Sequence, residues 1–195
     1  MNRPSFSRSR PLYVVAFFAA SVLGLTACGE NVFDLKWTVA RVSTVLLYSL
    51  ARPELNLPSG YDFVDRREIE IQEPGVTGLW DLLVDTQDGQ LVFVPPGALG
   101  IDSEVMILPI PDMAFADLLT APEDSTLYTR DQPVPIETSS VYVLRTHEGP
   151  SRFGVPCVFW GKIQPTDVDL ALETVQFIYD VSILCDDRGL VPEDG

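Results

Sequence analysis

The chain has 195 residues with 28 acidic and 13 basic side chains, one histidine and a formal net charge of −15. Such a charge repels nucleic acid and anionic lipid headgroups, which excludes a nucleic-acid-binding role. Apolar residues make up 46% of the chain, too many for a disordered acidic tail and enough for a folded core.

In chain order, the first pattern is an address. Arg3, Arg8 and Arg10 precede an apolar run over 12–25, broken by Ser21 and Gly24, which is the order of a secretory signal. The run has 14 positions, short of the about 20 apolar residues that a transmembrane helix needs. It ends in Leu25-Thr26-Ala27-Cys28. With Leu at minus three, Ala at minus one and Cys at plus one, residues 1–28 resemble the signal peptide of bacterial lipoproteins. The resemblance implies cleavage after residue 27 and lipidation of Cys28 with diacylglyceryl and a further acyl chain. Two or three chains anchor stably where one does not. No Arg-Arg pair precedes the run, which argues against twin-arginine export. Gly29, standing where an Asp would signal retention, resembles outer-membrane sorting, so the expected location is the outer membrane, facing the periplasm or the cell surface.

Three segments are therefore expected: a signal peptide over 1–27, a lipidated N-terminus and tether over 28–36, and a β-rich domain over 37–195. After residue 27 the chain carries all 28 acids and 10 of the bases, a net charge of −18. Residues 29–36 reach under roughly 30 Å at about 3.3 Å per residue, which seats the domain against the membrane surface.

The domain reads as all-β. Short runs of alternating apolar and polar residues, punctuated by prolines, predict strands over 38–50, 68–71, 78–85, 90–94, 105–110, 140–146, 157–164 and 174–184. Pro74-Gly75 and Asp88-Gly89 are turn dipeptides, the second joining two strands in a tight hairpin. One short helix is predicted over 113–119, capped by Asp112 and stopped by Pro122. Residues 121–139 read as a long irregular connection. The expected architecture is one antiparallel β-sandwich or partly closed barrel.

For the last hairpin a register can be written. With the turn centred on Ala171, facing residues have numbers that total 342, which sets Cys157 opposite Cys185. One face is then almost wholly apolar, with Phe159, Gly161, Ile163, Val175, Phe177, Tyr179 and Val181. The other mixes Lys162, Asp180 and Ser182 with Trp160 and Ile178, as a partly covered face would. Opposed Cα atoms lie within disulfide reach, and an exported chain can oxidise, so a structural Cys157–Cys185 bridge is expected.

Few residues point to chemistry. Two thiols and one histidine are too few for a zinc site, and neither a metal nor a cofactor is expected. His147 precedes Glu148-Gly149-Pro150 and reads as a solvated turn histidine, the one candidate functional residue; no catalytic residue is assigned. The stretch 85–89 lacks the spacing of a calcium loop. The acids at 186–187 and 193–194 read as a solvated terminus. Trp80, Phe93, Tyr142 and Trp160 suit either a sugar platform or the core, and strand aromatics favour the core. The leading expectation is a membrane-anchored, non-enzymatic module for an envelope protein or glycan. A small envelope hydrolase and a structural envelope assembly factor are the alternatives.

Overall fold

The computed structural model describes residues 35–54 and 56–193. The signal segment, the tetrapeptide ending in Cys28 and Asp194 lie outside them.

Among the described residues the strands are β1 (Ser43–Tyr48), β2 (Gly60–Asp62), β3 (Arg67–Ile69), β4 (Leu82–Gln87), β5 (Gln90–Val94), β6 (Met106–Pro111), β7 (Val134–Pro135), β8 (Ser140–Arg145), β9 (Gly149–Pro150), β10 (Pro156–Cys157), β11 (Trp160–Asp169) and β12 (Thr174–Val181). They build one antiparallel sheet in the order β1-β12-β11-β8-β6 and a second in the order β3-β2-β4-β5-β7, with β9 and β10 forming a separate small ribbon. Neither five-stranded sheet closes on itself, so the fold is an all-β sandwich and not a barrel.

The core lies between the sheets. Leu47, Ile163, Val175, Phe177 and Tyr179 of the first meet Tyr61, Leu82, Val84, Leu91 and Phe93 of the second. Phe177 stacks edge-on at 6.0 Å from Phe93, and the buried hydroxyls of Tyr61 and Tyr179 bond at 2.6 Å. The outer faces are covered as well. Leu118, Tyr128 and Leu190 lie over Val141, Val143 and Trp160 on the first sheet, and Ile69, Val76 and Trp80 pack with Leu83, Val92 and Val94 on the second. Burial on both faces is why 82–84, 91–94 and 141–144 are apolar without alternation.

The hairpin register holds from Gly161↔Val181 to Pro165↔Phe177, then slips by one at Thr166, so that Asp167 faces Gln176. A bulge absorbs the extra residue. Cys157 and Cys185 are bridged, their Cα atoms 5.7 Å apart. Asp88 and Gly89 both take positive φ, of 52° and 77°, as the predicted tight hairpin between β4 and β5 requires.

One expectation is corrected. Residues 113–119 do not form a helix. Asp112, expected as its cap, has φ 55°, and a single turn closes from Asp117 N–H to the Ala114 carbonyl. The carbonyls of Phe115 and Leu118 accept from the buried Lys162 Nζ, at 2.6 and 2.8 Å, which pins the segment over the first sheet. The described acids of the last segment, Asp186, Asp187 and Glu193, are exposed as expected, while the chain between them is tied down: Leu190 is buried and bonds to the Leu119 carbonyl, and Arg188 stacks 4.4 Å over Trp160. Trp80, Phe93, Tyr142 and Trp160 are all buried, the core placement that strand aromatics favour.

Candidate functional site

His147 does not sit as a solvated turn residue. It lies two residues past the end of β8, and its side chain is 13% exposed, against the wholly buried Asp81. Asp81 interrupts the apolar run 79–84, just ahead of β4. A carboxylate buried there has to find donors. It finds them in two other segments: Oδ2 accepts from Phe63 N–H at 2.7 Å, and Oδ1 accepts from His147 N–H at 2.6 Å. His147 Nδ1 lies 2.9 Å from the same Oδ1. An ionised carboxylate only accepts, so Nδ1 carries the proton and Nε2 is the ring nitrogen left open.

Asp62, the last residue of β2, is the neighbouring buried acid. Its Oδ1 accepts from Val64 and Asp65 N–H, both at 3.0 Å, and folds the β2–β3 turn onto its own side chain. Its Oδ2 meets Arg67 Nε at 3.3 Å. Burial pushes the Asp62 carboxyl above its ordinary value, against the turn's N–H bonds. For His147, burial works against the charged ring, but the bond and charge of Asp81, with the charges of Asp62 and Asp65, outweigh it and raise the pKa.

The ligand atoms of Asp62, Asp81 and His147 lie within 4.8 Å of one another, a spacing that could admit a metal ion. The donor set does not fit one. Its carboxylate oxygens are already committed to four main-chain N–H groups, to Arg67 and to the His147 ring. What the cluster does is mechanical: it fastens the β2–β3 turn, the entry to β4 and the exit of β8 to one another.

Beside this cluster is an open cavity of about 360 Å³, lined by His147, Glu148, Leu79, Gly78 and the stretch 102–104. Glu104, in that lining, is paired with Arg145. That bond holds the Glu104 carboxyl below its ordinary range. Immediately after His147 the chain forms the β9–β10 finger. Cys157 pairs with Gly149 at its base and carries the disulfide. Gly149 packs so tightly on Val64 that a Cβ there would overlap the valine side chain.

Of the residues singled out from sequence, the structure brings Cys157 and Cys185 together and places His147 at the cavity. Asp62 and Asp81 were missed, although an acid inside the apolar run 79–84 was a usable signal. By architecture the domain is a disulfide-stapled antiparallel sandwich with a carboxylate-braced loop end. The chain matches no protein-family model and no curated protein.

Proposed function

We propose that the chain is a lipid-anchored bacterial envelope protein whose sandwich binds an envelope protein or glycan and catalyses no reaction. The anchor rests on residues 1–28 and the lipidation of Cys28. The binding reading is carried by one observation: the buried acids beside His147 are used up in holding loops, while the adjoining cavity is open and lined by Asp102, Ser103, Glu104 and Glu148. A cavity with that lining suits a basic or hydroxyl-rich group of a peptide or sugar.

Two measurements test the reading. Growth with a fatty-acid analogue labels the protein and Cys28→Ala abolishes the label; label retained in the variant contradicts the anchor. A photo-crosslinking side chain at the exposed Asp102, activated in intact cells, gives a discrete adduct with one envelope component; its absence contradicts binding at the cavity.

The hydrolase reading has a specific observation in its favour, since a carboxylate on Nδ1 with Nε2 open is how a general base is oriented. His147→Gln separates the two. If that variant is folded and keeps the adduct but no longer restores the phenotype of deleting the protein, the site is catalytic.

A further inference from the structure

Two pairs of exposed apolar side chains lie on segments that one turn links. Val39 and Val42 are 67% and 51% exposed, and Phe153 and Val155 on the β9–β10 finger are 69% and 61% exposed. The two pairs are far apart in sequence and joined in space by one turn. Arg66 donates to the Arg41 carbonyl at 3.0 Å and to the Val181 carbonyl at 3.2 Å, and Val64, two residues earlier, is the residue on which the finger base Gly149 packs.

Charge is segregated in the same way. In a chain with 28 acids, residues 35–53 and 149–166 contain none. What charge they expose at this end is basic, from Lys36, Arg41 and Arg152. Acids adjoin these segments: Glu193 donates its N–H to the Trp37 carbonyl, Asp186 donates its N–H to the Val158 carbonyl, and Asp65 and Glu148 directly precede Arg66 and Gly149 in the chain. The finger is also held stiff at its base by the β9–β10 pairing, by the disulfide and by the contact with Val64, so its tip is presented rather than loose. A rigid hairpin that offers a phenylalanine and a valine beside an arginine is costly to leave in water. That composition suits the interface of a bilayer, where apolar groups enter the headgroup boundary and basic groups meet phosphate.

We infer that the Phe153–Val155 tip, with Val39 and Val42, is a second membrane contact that lays this end of the domain on the lipid surface. The inference rests on the lipid-anchor reading, since a tether of eight residues from Cys28 to Lys36 keeps the domain at the bilayer. A contact of this kind fixes which face of the sandwich looks away from the membrane.

The test uses the full, membrane-extracted protein with Phe153→Trp, reconstituted into phosphatidylethanolamine–phosphatidylglycerol vesicles with and without bromine on the acyl chains. The three native tryptophans are buried, so the indole introduced is read as the difference from the unsubstituted protein. Brominated lipid is expected to remove most of the added emission, and aqueous acrylamide to remove little. Adding Val155→Asp should reverse both, with the disulfide intact. If Phe153→Trp misfolds, Val155→Trp reads the same tip. Fatty-acid labelling of Cys28 runs in parallel. Label present with an indole open to acrylamide and untouched by bromine overturns the second contact and leaves the anchor. An indole shielded from both quenchers overturns it in favour of a protein partner. Label absent removes the anchor, and quenching by added brominated vesicles then decides the finger alone.

Discussion

The interior of the sandwich and the loop end around Asp81 are ordered by different physics. Between the sheets, Phe177 is wholly buried against Tyr61, Phe63, Phe93 and Tyr179, and shape and apolar area set the arrangement. At the loop end, segments that also send Phe63 and Trp80 into apolar clusters are fastened by two carboxylates, each serving main-chain N–H groups from turns and strand ends. The first kind of order is close-packed and spread over many contacts, so removing one large side chain is felt by the whole domain. The second depends on single atoms, so one substitution there should loosen a region without unfolding the domain.

The largest expected effect therefore lies in the core. Phe177→Ala should cost about 3–5 kcal/mol, a large share of the about 5–15 kcal/mol typical of a domain, as read from urea unfolding. Next is the bridge between the two regions. Opening Cys157–Cys185, which closes a loop of 28 residues, should cost about 3.5 kcal/mol by loop entropy, measured as the difference between oxidised and reduced protein. Two freely alkylated thiols in the exported native protein would break this prediction outright.

A smaller effect, confined to the loop end, is pH-dependent. The raised pKa of His147 means that the folded state binds the ring proton more tightly than the unfolded state. Its contribution is full below the unfolded value of 6.5 and is lost as pH rises through the raised folded value. Asp62 is raised too, from 3.8, and gives a slope of the same sign that starts at lower pH. Urea midpoints should fall with rising pH above 6.5, and His147→Gln should flatten that fall. The smallest effect is at the finger, where Phe153→Ser should change stability by less than about 0.5 kcal/mol because the ring packs on nothing the fold needs.

The two regions were also unequally legible in the sequence. Period-two patterning and the 342 register foretold β12, the first half of β11 and the disulfide, since one slipped residue would have turned Val175, Phe177 and Tyr179 to the wrong face. Doubly buried strands such as β8 and β5 were visible as apolar runs, though nothing in the run says what covers the outer face. β2 was missed because Gly60-Tyr61-Asp62 has no periodicity, and its buried Asp62 reads as a turn residue. The 113–119 helix was predicted from its apolar spacing, which does not show that Lys162, 44 residues beyond Leu118, bonds this segment's carbonyls and pins it to the sheet. The site failed for the same reason. Asp81 and His147 are 66 positions apart, and only the fold makes them neighbours.

The contrast between packed core and carboxylate-braced end is tested most directly by amide hydrogen exchange on Asp81→Asn. The account predicts lost protection at Phe63 and His147, the two residues whose N–H groups Asp81 accepts, and faster exchange through 149–157, while Val175, Phe177 and Tyr179 in β12 exchange as in the native protein. Protection unchanged at Phe63 and His147, or lost equally across β12, would contradict it.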